Sequence, residues 1–304
     1  MISKLLLTFI LSSQIFLPAS TDDGQVLGVQ TQRINQGSGP ERIVNQNLDI
    51  VISADSALVV DLKSGKILYQ KNQNKQRPIA SITKLMTMLV FLDTNPDFEK
   101  KVRYAWVDST GGEKVELRTN EEITIKDLFY ASLIGSTNNT VKTLVRSTNM
   151  GEQEFIKRMN QKAKELGMVN THFAGLTGLS EFNVSTTRDI VTLLKSVIKK
   201  KEITEALSKD EYVFTTNISQ HKVDSTNLLL NNKHFNIEFG KTGYIQEAGW
   251  CFASLGKVKD NPSEKAKASH GASILTVVLG SKSQYTRFQD TKALYWWINQ
   301  NYNF

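Results

Sequence analysis

The sequence predicts an α+β fold: an antiparallel sheet flanked by helices, with a helical subdomain inserted in the middle. Three observations carry this. Strand-like runs gather toward both ends, helical periodicity fills the stretch between them, and about 250 residues remain beyond the N-terminal segments, enough for one sizeable core.

The elements follow in order. Residues 57–61 and 67–71 flank Lys63, Ser64, Gly65 and Lys66 and read as a two-stranded hairpin. Pro78 stops any earlier helix, and from Ser81 onward Ile82, Leu85, Met86, Leu89 and Val90 recur at helical spacing. Helical periodicity resumes at 125–133, 139–146, 152–166 and 187–198, with Gly167 as a C-cap. Strand-like runs return at 212–215, 235–239, 249–255 and 274–279, and a last helix covers 284–298. On that helix Tyr285, Phe288, Tyr295 and Ile298 form an apolar stripe, and Trp296 and Trp297 are expected to pack on the sheet rather than anchor a membrane interface.

Ahead of the fold, Lys4, an apolar run at 5–17 and the small residues Ala19 and Ser20 read as an export signal over 1–20. The run is too short for a comfortable bilayer span. Residues 21–50 are rich in Gln, Asn, Gly and Ser and read as a flexible spacer, leaving 51–304 as the catalytic domain. The expected destination is the periplasm or the extracellular cell wall. One cysteine, Cys251, rules out an internal disulfide and reads as a small buried apolar residue. The net charge of +7 suits peripheral contact with anionic wall polymers or membrane surfaces, and an exported chain is not expected to bind nucleic acid.

Three short motifs carry the chemistry: Ser81-Ile82-Thr83-Lys84, then Ser136-Thr137-Asn138, then Lys241-Thr242-Gly243. Together they describe an acyl-transfer site in which a lysine accepts the proton of a nucleophilic serine. Spacing alone does not select Ser81, because Ser196/Lys199, Ser219/Lys222 and Ser254/Lys257 share it, and Ser-Thr-Asn recurs at Ser147 and Ser225. Context selects it. Ser81 opens a buried helix, Lys84 stands one turn along on the same face, and the helix start offers unpaired N–H groups where an oxyanion would form. The rival pairs lie late in a Lys-rich helix, between strand-like runs, or at a strand end. A lysine base has a cost: keeping a useful neutral fraction near pH 7 takes roughly 4 kcal/mol. Burial and a second cation can supply it. Lys241, at a sheet edge facing the helix, is the candidate for that cation, and Thr242 and Gly243 suit a strand that a ligand backbone approaches closely.

At this point the chain resembles the D-alanyl-D-alanine carboxypeptidase family, the low-molecular-weight penicillin-binding proteins of serine peptidase type. The likeness runs from about Ser56 to about Asn299. It includes the nucleophile segment from Pro78 to Thr87, the stretch from Leu166 to Phe173, Thr226 to Leu229, Gly240 to Tyr244, and Ala248-Gly249. The resemblance implies the β-lactamase/DD-transpeptidase-like fold. It implies Ser81 as nucleophile, Lys84 as base, Ser136 as proton relay to the leaving amine, and Asn138 as a hydrogen-bonding group for the substrate amide and Lys84. Lys241 and Thr242 would hold the terminal carboxylate, Gly243 would belong to the same substrate-binding strand, and the oxyanion hole would use the backbone N–H groups of Ser81 and Tyr244. The expected activity is a serine-type D-Ala-D-Ala carboxypeptidase that trims peptidoglycan stem peptides, uses no cofactor or metal, and is trapped covalently by β-lactam antibiotics. A DD-endopeptidase cutting cross-links would use the same residues. A β-lactamase-like hydrolase and a non-catalytic peptidoglycan-binding relict are further alternatives. Larger relatives add a C-terminal β-domain, so the chain, ending at Phe304, is expected to be a bare catalytic unit.

Two departures stand out: Asn139 and Thr140 replace the Asp and Ala usual after the second motif, and Ala174-Gly175 replaces a frequent Asn-Pro. They are expected to alter loop shape and substrate choice, not the chemical step. Other chemistries find little support. His172, His221, His234 and His270 are scattered, with no zinc-binding His pair and no Gly-x-Ser-x-Gly elbow. Glu121 and Glu122 read as acids favouring the N-terminus of the following helix. Glu181-Phe182-Asn183 lacks the spacing of a deacylating glutamate.

Overall fold

The computed structural model describes residues 39–43, 49–111, 115–232, 236–258 and 271–304. The expected export signal, most of the expected spacer, His234 and His270 lie outside them.

In chain order, β1 (Glu41–Arg42) precedes the hairpin β2 (Ser56–Asp61) and β3 (Ile67–Lys71), then β4 (Arg77–Pro78) and a 3₁₀ turn, Ala80–Ile82, that feeds α1 (Thr83–Leu92). A helical lobe follows: β5 (Lys101–Arg103), a 3₁₀ turn at Trp106–Asp108, β6 (Glu122–Thr124), α2 (Ile125–Ile134), α3 (Asn138–Ser147) and α4 (Glu152–Glu165). The chain returns through β7 (Val184–Ser185), α5 (Thr187–Val197), α6 (Lys201–Leu207) and the hairpin β8 (Glu211–Thr215) and β9 (Gln220–Asp224). It closes with β10 (Asn236–Ile245), β11 (Gly249–Val258), β12 (Ala272–Ser281), α7 (Thr286–Asn301) and β13 (Tyr302–Asn303).

The main sheet has five strands in the order β10-β11-β12-β2-β3, every neighbouring pair antiparallel. Strand alternation divides its side chains between two cores. Leu58, Val60, Ala253, Leu275 and Val277 pack in one core with α5, α1 and the lobe. Ala57, Val59, Phe252, Ile274 and Val278 face α7, where Phe288, Leu294, Tyr295 and Ile298 cover them. The central strands are buried on both faces, which is why their sequences are almost continuously apolar. Helix α1 is buried all round, from Thr83 to Phe91. Such a helix has no solvent face to spare.

Most expected elements lie where periodicity places them. Gly167 ends α4 with φ +76°, and the bonds Gly167 N–H to Lys164 O and Met168 N–H to Ala163 O form a Schellman cap. Four readings change. The strand-like run at 212–215 pairs with β9 in a separate hairpin against α2, outside the main sheet. Helix α6, beyond the expected helix at 187–198, has only seven residues, too few to show a helical period. Trp297 packs against Tyr69 and Tyr302, but Trp296 is exposed, because adjacent helical residues face different ways. Glu41–Arg42, inside the expected spacer, pairs with β13, so the packed structure takes in residues ahead of position 51.

The expectation for Glu121 and Glu122 is also corrected. The first turn of α2 is capped by the Thr124 hydroxyl, which accepts from Asp127 N–H, and Asp127 is the acid that meets the helix dipole. Glu122 pairs with Arg103 on the surface. Glu121 is fully buried and accepts from Arg118 N–H at 2.8 Å, Thr216 Oγ1 at 2.5 Å and His221 Nε2 at 2.6 Å. Among the described residues, no helix is long and apolar enough to cross a membrane.

Candidate active site

The nucleophile turn is gripped from two sides. Ala80, just before Ser81, takes φ +47°, a left-handed conformation that costs an L-residue about 1 kcal/mol or more. Two glycines hold it there. A Cβ at Gly243 on β10 would lie 2.9 Å from Ile79 O and 3.1 Å from Ser81 N. A Cβ at Gly178 (φ +87°) would fall 2.0 Å from Ala80 O. Strand and loop therefore approach the Ser81 backbone so closely that neither can carry a side chain. Ser81 sits in the 3₁₀ turn, half-buried, two residues before Thr83 opens α1's regular turns and not inside them.

Lys84 is fully buried. Its Nζ lies 2.9 Å from Ser81 Oγ, 2.6 Å from Asn138 Oδ1 and 2.8 Å from the Thr177 carbonyl oxygen. Asn138 is the first residue of α3, so the lobe delivers its amide directly over the nucleophile turn. Ser136 occupies the break between α2 and α3 with φ +59°, and its Oγ accepts from Lys241 Nζ at 2.7 Å. Lys241 is 1 % exposed and reaches the cleft from β10, the open edge of the sheet. Thr242, also buried, donates its hydroxyl to Thr226 Oγ1 at 2.6 Å. Tyr244, next along β10, is half-exposed, with its ring stacked on Trp250 at 3.9 Å between centroids.

The expected residues thus gather where α1, the α2–α3 turn and β10 meet: Lys84 joins Ser81 to Asn138, Lys241 reaches Ser136, Gly243 lies against the Ser81 backbone, and Thr242 and Tyr244 follow on the same strand. The rival serines do not join their lysines in this way. Ser254 is buried within β11, Ser219 Oγ meets His221, and Lys222 bridges Glu211 and Asp224.

Support lies behind the cleft. Arg287 of α7 donates from Nη1 to Gly243 O at 3.3 Å and lies over the Trp250 ring, and burial pushes its pKa down to about 10. Cys251, paired with Gly243 across the ladder, is buried as expected, and burial raises its thiol pKa to about 11. Asn139 and Thr140 are fully buried and turn away from the nucleophile. Asn139 Nδ2 donates to Val115 O at 2.8 Å, and Thr140 Oγ1 joins the hydroxyls of Ser132 and Thr137. These departures brace the lobe. Sequence reasoning missed Thr177, Gly178 and Thr226, because a backbone carbonyl, a close approach and a hydroxyl pair leave no spacing signature.

A lysine amine in hydrogen-bond reach of a serine, buried against acceptor oxygens and flanked by a second serine–lysine pair, is suited to activate a hydroxyl for attack on a carbonyl. Known proteins resemble the chain over most of its length. The D-alanyl-D-alanine carboxypeptidase family matches residues 42–267. The chain is 34 % identical over 252 residues to the D-alanyl-D-alanine endopeptidase of Escherichia coli, covering 81 % of this chain and 77 % of that one. It is 32 % identical over 216 residues to the D-alanyl-D-alanine carboxypeptidase DacF of Bacillus subtilis, covering 69 % of this chain and 55 % of that one. Among solved structures, penicillin-binding protein D2 from Listeria monocytogenes in its cefotaxime-bound form superposes with a TM-score of 0.69 at 29 % identity, over 84 % of this chain and 100 % of that one.

Proposed function

The chain belongs to the D-alanyl-D-alanine carboxypeptidase family of serine DD-peptidases, and from that premise we propose that it cuts peptidoglycan peptides after a D-alanine through an acyl-enzyme on Ser81. The observation that carries this reading is the setting of Lys84. Asn138 Oδ1 and the Thr177 carbonyl oxygen accept from its Nζ at 2.6 and 2.8 Å and hold that nitrogen 2.9 Å from Ser81 Oγ. In its neutral form the amine there offers a lone pair to the hydroxyl it is to deprotonate.

In the proposed reaction Ser81 Oγ attacks the D-alanine carbonyl while its proton passes to Lys84. The carbonyl oxygen, now negative, is held by the N–H groups of Ser81 and Tyr244. As the C–N bond breaks, Lys84 gives up that proton and one passes through Ser136, whose oxygen is oriented by Lys241, to the leaving amine, so that Lys84 is neutral again. Water then attacks the ester, and Lys84 takes the water's proton and returns it to Ser81 Oγ as the ester C–O bond breaks. Lys241 and Thr242 hold the carboxylate beside the leaving amine. A β-lactam enters the same route and stays attached, consistent with the cefotaxime-bound state of the Listeria neighbour.

The leaving group decides the finer activity. Terminal D-alanine bears a carboxylate next to its amine, and so does the D-centre of a dicarboxylic diamino acid in a cross-link, so one anion seat serves both. The sequence alone favours a carboxypeptidase. We give first place to a DD-endopeptidase, because the Escherichia coli endopeptidase is matched over 77 % of its length and the Bacillus carboxypeptidase over 55 %. The family match itself favours carboxypeptidase as the second reading. The site of action proposed is the cell wall outside the cytoplasm, with export by the N-terminal segment. Digestion of purified peptidoglycan with mass analysis tests the choice. Conversion of dimers to monomers is expected, and loss of one terminal alanine from monomers with dimers intact would assign the carboxypeptidase.

A further inference from the structure

Thr226 lies outside the three motifs yet touches two of the parts they build. Its backbone N–H donates to Ile134 O at 3.2 Å, at the last residue of α2 and two residues ahead of Ser136. Its Oγ1 receives the Thr242 hydroxyl at 2.6 Å. Ser225 N–H is tied to Asp210 O at 2.6 Å, and Leu229 is buried in the core beneath α7. Residues 225–229 therefore run from the lobe to the sheet, fixed at both ends, and present one hydroxyl to the third motif.

The hydrogen count at Thr242 gives that hydroxyl a task. Thr242 has a single O–H, and while it donates to Thr226 it has nothing to offer an anion. A carboxylate arriving beside Lys241 carries only acceptor oxygens. Thr242 must turn its hydrogen toward the ligand, and its own oxygen then needs a donor within reach. Thr226 supplies one by a small turn of its side chain that points its hydrogen at the Thr242 oxygen. We propose that Thr226 is a positioning residue for the substrate carboxylate: the Thr226–Thr242 hydrogen bond reverses on binding, so that Thr242 donates to the anion while accepting from Thr226. The proposal rests on the assignment of the carboxylate to Lys241 and Thr242. Thr226 acts through Thr242 and has no part in the proton path between Ser81 and Lys84.

Acylation of the full chain by benzylpenicillin and by its methyl ester, followed by intact mass, separates this role from a structural one, because only the acid presents the anion. The wild-type protein should acylate faster with the acid. Thr226→Val, which keeps shape and backbone but loses the hydroxyl, should slow the acid about 10-fold, the loss of roughly one charge-assisted hydrogen bond, and leave the ester rate unchanged. Thr226→Ser should restore the acid rate to within about twofold. Equal slowing of acid and ester, or no slowing of either, overturns the proposal. A wild-type protein that treats acid and ester alike overturns the carboxylate seat itself, and one that neither probe acylates overturns Ser81 as nucleophile.

Discussion

Lys84 and Glu121 are both fully buried charged residues, each bound to a hydroxyl and to a backbone group, and they behave as opposites. The partners of Lys84 come from three separate segments: its own turn, the start of α3, and the loop at Thr177. One of them, Ser81, is reachable from the cleft. The partners of Glu121 come from its own turn and the β8–β9 hairpin; His221 is half-buried like Ser81, but its Nε2 gives its hydrogen to Glu121 and so is not a base for the Ser219 hydroxyl 3.1 Å away. Burial and hydrogen bonding therefore do not make a reactive centre. A buried polar group becomes one when a partner it governs faces a ligand.

The largest expected effect breaks the comparison at the Lys84 end. Ser81→Ala should abolish covalent labelling by fluorescent penicillin while shifting stability by no more than about 0.5 kcal/mol, because the removed hydroxyl is half-exposed. Retained labelling would place the nucleophile elsewhere. Gly178→Ala comes next. The added methyl meets Ala80 O and an unfavourable φ at once, so we expect a loss of about 4 kcal/mol in chemical denaturation and at least about a tenfold drop in acylation. Wild-type behaviour in both assays would mean that the loop does not hold the turn.

Glu121→Gln sharpens the other side. It should cost about 3 kcal/mol at neutral pH and leave the acylation rate of the folded protein within about twofold. Its pH signature has a definite sign. Burial works to raise the Glu121 pKa, but hydrogen bonds from Arg118 N–H, Thr216 and His221, with the His221 charge, outweigh it and hold the carboxyl below its usual range. The unfolded chain then binds the proton more readily. The stabilisation is complete above the ordinary glutamate range and is lost as pH falls through the lower, folded value. Denaturation curves from pH 7 down to about 3 should show a shallower acid limb in Glu121→Gln than in the wild type. The smallest effect is expected for Asn139→Asp, which restores the family's usual residue but removes the donor to Val115 O. A loss of about 1–2 kcal/mol with unchanged labelling would place this residue with the frame and not with the reaction.

The parts of the site that were legible in the sequence are those with a fixed local period. Ser81 and Lys84 are one helical turn apart, and Lys241, Thr242 and Gly243 follow one another on a strand, so the helix and strand repeats decide their relative placement. The long apolar strands and the helices of the lobe were legible for the same reason. What was not legible is long-range and carried by backbone. The Thr177 carbonyl meets Lys84 across 93 residues, and Glu121 meets His221 across 100, through geometry that no short window contains. Trp296 and Trp297 show a further limit: composition marks both, and only the helix phase settles which one packs.

The left-handed bend at Ala80 leaves that position a two-letter alphabet. A side chain longer than a methyl finds little room there, because Ala80 is fully buried and its Cβ faces the bare backbone of Gly243 on β10. Glycine would relax the bend by about 1 kcal/mol, set against the freer unfolded chain and the lost buried methyl, and the serine beside it would lose some of its aim. Robustness and reactivity thus compete over a single carbon atom.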